Sequence, residues 1–262
     1  GCDRSEALMM ALNAIFEFDA LASMAELANR NNYVRPTLCG GRHSDINSCV
    51  ENEDESEFVL DMVDARHPLQ EFTVEPFIPN TLKMTKQGPI IIVTGPNGSG
   101  KSVLLRQVGL LTVMAKAGSF VPAQSFKVPN VDQIFTRITN QETAVSEESA
   151  FTIDLHQVHA ALNNCTPQSL VLLDEFGKGT VAVDGVALLA ATIRAFNSIG
   201  PKVILTTHAW ELFEHNLLAT CMRVRTYMMK VEAEKESSNA RHSPGAYDTS
   251  SSSTDGRQST SE

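Results

Sequence analysis

Hydrophobic positions along this chain fall into a small set of rhythms. Leu8, Leu12, Ile15, Phe16, Leu21, Met24 and Leu27 recur at roughly helical spacing over residues 5–30, and Asn29 to Asn32 end the run. Residues 31–57 turn polar, with an acidic stretch from Glu51 to Glu57 that reads as a solvated loop. Phe58 to Asp64 predicts a strand, broken by Arg66-His67-Pro68. Glu75-Pro76-Phe77-Ile78-Pro79-Asn80 predicts a proline-stiffened loop. Ile90-Ile91-Ile92-Val93-Thr94 is an unbroken β-branched run of the kind buried in a parallel sheet. From Val103 to Ala117 the rhythm is helical again, with Leu104, Val108, Leu111 and Ala115 on one face and Gly118 as the stop.

Further on, Gln133 to Ile138 predicts a strand and Gln141 to Glu148 an acidic loop. Ser149 is placed as the N-cap of a helix carrying Phe151, Leu155, Val158 and Leu162 on one face. Ser169 to Leu173 is an apolar strand that delivers Asp174 and Glu175 at its C-terminal end. Gly177, Gly179 and Asp184-Gly185 make the turn into a helix over 186–198, and Lys202 to Thr207 is another strand, ending at His208. Tyr227 to Val231 fits one more strand. Glu234 to Glu262 is Ser/Thr-rich and nearly free of aliphatic residues, so it reads as disordered. The alternation of strands and helices predicts an α/β fold with a mainly parallel sheet flanked by helices, its ligand at the strand C-termini.

The chemistry enters between the second apolar strand and its helix. Gly95-Pro96-Asn97-Gly98-Ser99-Gly100-Lys101-Ser102 fits G-x-x-x-x-G-K-[ST] at every fixed position. Strand, glycine loop and helix together make a phosphate cradle of backbone N–H groups at a helix N-terminus. Lys101 is the residue to bridge β- and γ-phosphates, and the Ser102 hydroxyl a ligand for Mg²⁺. Asp174 is placed for the Mg²⁺ shell opposite Ser102. Glu175, next on the strand and therefore facing the other side, is placed to polarise a water in line with the γ-phosphate. His208, at the end of the neighbouring strand, is placed to sense that phosphate. Phe77 suits either a nucleobase stack or the core. The reading is ATP binding and hydrolysis with Mg²⁺.

Composition narrows the partners. A formal net charge of -10 gives the chain no basic footprint for gripping DNA phosphates by itself. Five scattered cysteines without C-x-x-C spacing argue against a zinc site and fit a reducing compartment. No apolar run reaches membrane-spanning length, and no signal peptide opens the chain. The first residue is Gly1, and the chain reads as a piece of something longer.

Several of these segments together resemble the MutS family of DNA-repair ATPases, within the ABC-type ATPase class. They are Thr94-Gly95-Pro96-Asn97, Phe120-Val121-Pro122-Ala123, Phe135-Thr136-Arg137-Ile138, Asp174 through Thr180, Asp184-Gly185 and Thr206-Thr207-His208. The Phe176-Gly177-Lys178-Gly179-Thr180 turn, Gly118-Ser119-Phe120 and the segment 184–190 look most like the meiotic branch, the fifth eukaryotic homologue. The resemblance implies a P-loop ATPase domain over 58–233, incomplete at its C-terminus, preceded over 1–38 by the end of a helical lever. Residues 39–57 would be an acidic surface loop and 234–262 a disordered tail.

It further implies that Phe77 stacks on adenine with Ile78 and Asn80 beside it, and that Ser149 is a signature serine reaching the nucleotide of a partner subunit. The implied partner is a second MutS homologue, the fourth, in a heterodimer. DNA would be met through regions of a longer protein, in a nucleus, during meiotic recombination. The chain departs from the family in reading Ser149-Ala150-Phe151-Thr152 where Ser-Thr-Phe-Met is usual, preceded by Glu147-Glu148. Two other readings stand beside this one. One is a chromosome-organising or transporter-type ABC ATPase, whose Leu-Ser-Gly-Gly signature is absent here. The other is a catalytically weak module that uses ATP to hold a dimer together.

Overall fold

The computed structural model of the chain describes residues 2–39, 58–138, 147–178, 180–221 and 223–230. Its centre is decided by three apolar runs that have no polar face to offer water: β4 (Ile90–Thr94), β7 (Leu170–Asp174) and β8 (Lys202–Thr206). With β6 (Ile134–Arg137) and β9 (Val224–Met228) they form a five-stranded sheet in the order β6-β7-β8-β4-β9. Every pairing in it is parallel. The expected parallel sheet is therefore present, with β4, the strand before the glycine-rich loop, between β8 and β9.

Strand alternation divides the core between the two faces of this sheet. Ile91 and Val93 point to one face, where Leu104, Leu105, Val108 and Leu111 of α2 (Lys101–Lys116) pack. Ile90 and Ile92 point to the other, against α3 (Glu147–Asn164) and α4 (Ala182–Ile199) through Val158, Leu189, Ile193 and Phe196. Gly200, at φ +95°, ends α4 with a left-handed residue. A short helix, α5 (Glu211–Glu214), follows β8 and buries Leu212.

A second sheet, which the sequence reading did not anticipate, covers the far side of α2. It runs β1-β5-β2-β3, from β1 (Thr37–Cys39), β2 (Phe58–Ala65), β3 (Asn80–Thr85) and β5 (Ser125–Pro129). Only β2 was expected. In β3, Leu82 and Met84 face the core while Thr81 and Lys83 face out, so half of its residues look like loop. β5 carries Lys127 in its middle and is five residues long. Both are stabilised by pairing with β2, which lies far away in sequence, and a local pattern does not carry that information.

Several element boundaries also differ from expectation. α3 begins at Glu147, so Ser149 lies inside its first turn instead of capping it. α4 likewise starts at Ala182 and takes Asp184 and Gly185 into its first turn. The rest of the acidic loop (141–146) and the two residues before it, residues 40–57, Gly179, Met222 and the tail from 231 lie outside the described residues.

The first helix, α1 (Cys2–Arg30), keeps its expected span but not an ordinary amphipathic role. Leu8, Ile15, Phe16 and Leu21 are all more than half exposed, whereas Ala28 and, just past the helix, Tyr33 are buried. Its hold on the rest is at that end. The Tyr33 hydroxyl donates to Glu71 Oε1 at 2.6 Å, Arg66 Nη2 donates to the Asn31 carbonyl at 3.1 Å, and Val34 bridges Val121. By length and composition alone, α1 and α4 are apolar enough to cross a membrane, with mean hydropathies of 1.4 and 1.3. Neither is an unbroken apolar run, since Glu17 and Asp19 interrupt α1 and Asp184 and Arg194 interrupt α4. α4 packs its apolar face on the parallel sheet.

Candidate nucleotide site

β4 ends in Thr94, and the chain must turn immediately from strand to helix. Gly100, at φ +92°, is the left-handed residue that launches α2; most side chains resist that conformation. Lys101 then opens the helix with only 5% of its surface exposed. Its Nζ donates to the carbonyls of Gly95 at 3.0 Å and Pro96 at 2.9 Å. Glu175 Oε1 lies 4.0 Å away. Burial lowers the Lys101 ammonium below the usual lysine range, assisted by the charge of Lys178 and opposed by Glu175 and Asp174. The loop thus curls around its own cation. Ser99 Oγ, in the same loop, is buried with no hydrogen-bond partner among the described residues. An acceptor oxygen arriving in the loop would satisfy it.

The carboxylates come from the end of β7. Asp174 is 3% exposed, and its Oδ1 accepts from the Thr206 hydroxyl at 2.6 Å, across the β7–β8 register. Glu175 is no longer in the strand. Its φ of +52° takes it into the left-handed region. Its N–H donates to Thr206 O at 3.1 Å and to Thr206 Oγ1 at 3.0 Å. The expectation that simple strand alternation would aim Glu175 away from Asp174 is corrected. The turn at Glu175 brings its carboxylate to the Lys101 side, and both acids act on that ammonium.

Glu175 Oε1 meets His208 Nε2 at 2.9 Å, and Oε2 pairs with Lys178. Burial works to raise the Glu175 carboxyl, but the hydrogen bonds and charges of Lys178 and His208 outweigh it and hold it below the usual range. Lys178 and Thr206 stood within recognised motifs, yet their roles were not legible, because each depends on a residue more than two positions away. A backbone contact keeps the next turn tight. A Cβ on Gly185 would lie 2.4 Å from the Gly177 carbonyl oxygen, so no side chain fits there.

A divalent ion would have to be held sparingly. Among the described residues no group of three or more His, Cys, Asp or Glu side chains is arranged for a metal. Ser102, on the first turn of α2, and Asp174, at the end of β7, offer two side-chain oxygens at this edge. That donor set suits Mg²⁺, which keeps waters and takes its remaining ligands from substrate phosphates.

The residues expected beside a nucleobase are less enclosed. Phe77 is half-buried and outside the core, Ile78 is 76% exposed, and Asn80 donates through Nδ2 to Gln107 Oε1 of α2 at 3.0 Å. Substituting Phe77 by alanine is expected to weaken ATP and ADP alike, by about 1–3 kcal/mol if it stacks as other aromatics do on bases. Competitive titration of both nucleotides reads this, and unchanged affinity for both would return Phe77 to a packing role. Ser149 lies at the N-terminal turn of α3. A groove of about 430 Å³ lies elsewhere, between α1 and the turn after α2, lined by Leu21, Met24, Ala28, Tyr33 and Phe120; it takes in no phosphate-loop residue.

Comparison with known proteins gives the family of the chain. Residues 91–252 match the family described as MutS domain V. The DNA mismatch repair protein MutS of Lactobacillus helveticus (strain DPC 4571) is 39% identical over 209 residues, covering 79% of this chain and 23% of that protein. The protein of the same name from Chloroflexus aurantiacus (strain ATCC 29366) is 39% identical over 227 residues, 85% of this chain and 22% of the relative. That of Prochlorococcus marinus (strain NATL1A) is 36% identical over 245 residues, 92% and 25% respectively. The chain thus spans about a quarter of the length of these relatives. They are bacterial proteins, from cells without a nucleus, which overturns the expected nuclear location. With the match to domain V covering well over half of its residues, this chain belongs to the MutS family.

Proposed function

We propose that this domain binds Mg·ATP at the edge formed by β4, β7 and β8, hydrolyses it, and thereby switches a DNA-bound clamp in the longer protein. One observation carries the reading. Lys101, Asp174, Glu175 and His208, from three separate strand ends, converge so that a desolvated ammonium faces a carboxylate at 4.0 Å and that carboxylate meets an imidazole at 2.9 Å. When bound, Mg²⁺ would supply charge neutralisation to the phosphate oxygens, held by Ser102 and Asp174. The chain's own groups do the rest by positioning. Lys101 exchanges the Gly95 and Pro96 carbonyls for β- and γ-phosphate oxygens. Glu175 accepts a proton from an attacking water, and His208 fixes the orientation of the Glu175 carboxylate.

A second MutS homologue is the proposed partner, with Ser149 reaching its nucleotide, and DNA would be met outside these residues. The narrower meiotic role has the Phe176–Thr180 turn as its support, and the bacterial relatives do not share in it, so the proposal stays with the family's general switch. A catalytically weak dimerisation module is the second reading. What favours it is the Lys178 pair, which occupies the Glu175 oxygen that His208 leaves open.

The composite-site part of the proposal is tested by oligomeric state and turnover. The isolated chain is expected to sediment as a monomer and to hydrolyse ATP poorly. Adding the ATPase region of a partner homologue is expected to raise both mass and turnover. Strong turnover by the chain alone at low concentration would mean that one copy completes the site, and the Ser149 role would have to be dropped.

A further inference from the structure

Phe135-Thr136-Arg137-Ile138 is a motif with no function in the reading above, and its arginine is buried at 7% exposure. Arg137 ends β6, beside β7, and reaches two of its partners through different nitrogens. Nη1 donates to the backbone carbonyl of Asp174, and Nη2 pairs with Asp154 on α3. The Asp174 carbonyl belongs to the peptide that joins the two acids of the site. The N–H of that same peptide is Glu175 N, which Thr206 holds through both its carbonyl and its hydroxyl. Carbonyl and N–H of one peptide plane are therefore gripped from opposite strands, β6 and β8. The grip is placed where the backbone needs it, because Glu175 takes the left-handed φ of +52° that turns its carboxylate toward Lys101 and His208.

We infer that Arg137 is a positioning residue for Glu175, holding the Asp174–Glu175 peptide in the plane that aims the carboxylate, and that Asp154 makes this grip depend on the seating of α3. The inference rests on the proposed ATPase reading for its functional consequence, and on geometry alone for the contact. It gives α3 a route to the site within one chain. A shift of that helix, whose first turn carries Ser149, would loosen Asp154 on Arg137 and free the peptide. A guanidinium suits the task because it is planar and offers separate N–H groups to two acceptors, which a lysine ammonium does not reproduce.

The test reads the nucleotide-free chain first, so that it stands apart from any ATPase activity. The imidazole ¹H–¹⁵N resonances of His208, identified by their loss in His208→Asn, report the contact with Glu175. Arg137→Gln is expected to move them toward their position in Glu175→Ala, and Asp154→Asn to move them part of the way. Arg137→Lys is expected not to restore them. A core change in the other sheet, Phe126→Leu, is the control for lost stability and should leave them in place. Under single-turnover conditions the hydrolysis rate at saturating ATP in Arg137→Gln is expected to fall about 10- to 100-fold, the scale of a small misplacement of a reacting group. Half-saturation by ATP should stay within about threefold, since the phosphate loop is untouched. Should Arg137→Gln not fold, Asp154→Asn keeps the guanidinium and carries the same readouts.

Unmoved His208 resonances in a folded Arg137→Gln or Asp154→Asn chain would overturn the inference. So would full rescue by Arg137→Lys, or the same spectral change in Phe126→Leu. If instead the resonances move as expected while the wild-type chain neither binds nor hydrolyses ATP, the grip stands and the ATPase reading fails.

Discussion

Alanine at position 101 is expected to abolish ATP binding. Lys101 is the sole cation in the loop 95–102, and Lys178, whose charge acts on it, is paired with Glu175. In the structure the Lys101 ammonium already makes two hydrogen bonds to carbonyl oxygens, Gly95 and Pro96, with 4% of its side chain exposed. Phosphate oxygens would replace those carbonyls with charged acceptors in the same desolvated place. Two charge-assisted bonds at about 1.5–3 kcal/mol each correspond to at least about a hundredfold in affinity. Titration with a fluorescent ATP analogue in Mg²⁺ checks this. Wild-type affinity in Lys101→Ala would sink the phosphate-loop assignment, because no other side chain could then explain the binding.

Glu175→Gln should separate binding from hydrolysis. The amide keeps the length of the side chain and a partner for His208 at the oxygen now 2.9 Å away, but it cannot take a proton from water. ATP should bind, and turnover should fall by about 10²–10⁴, the usual contribution of a positioned general base. The carboxyl is held below its usual range by Lys178 and His208 against the opposing effect of burial, so it is ionised and able to accept a proton at neutral pH. A folded-state pKa that is lowered contributes stability above the unfolded value, and that contribution is lost as pH falls through the folded one. Activity and this part of the stability should therefore both fail on the acid side. Asp174→Asn is expected to differ, weakening the Mg²⁺-dependent part of nucleotide binding. Steady-state turnover and Mg²⁺ titrations of the two variants distinguish them. Equal turnover in wild type and Glu175→Gln would remove the base role.

Much of the candidate site is legible in the sequence alone. The phosphate loop could be read because each of its requirements is local: a buried strand, glycine at the turn, lysine and serine at the helix start. The apolar runs Ile90–Thr94 and Leu170–Asp174 announced strands buried on both faces for the same reason, with no polar alternation to satisfy. His208 and Glu175 could be placed at a common edge from strand order alone, and the structure brings them within 2.9 Å.

Tertiary structure decided the rest, wherever a residue's role depends on partners distant in sequence. The β1-β5-β2-β3 sheet exists because β2 supplies pairing to β3 and β5, whose own residues, with Lys83 and Lys127 turned outward, say little. The direction of Glu175 is set by a single φ of +52°, and Thr206 and Arg137 sustain it from the strands on either side. The apolar residues of α1 recur at helical spacing, but a helical period states only that a face exists. Here Leu8, Ile15 and Phe16 remain exposed, and hydrogen bonds at Asn31, Tyr33 and Val34, just past the helix, tie its C-terminal end to the rest. Local pattern determined which elements form and which groups carry charge. The long-range packing of β6, β8 and α3 around one peptide determined where the reactive carboxylate points.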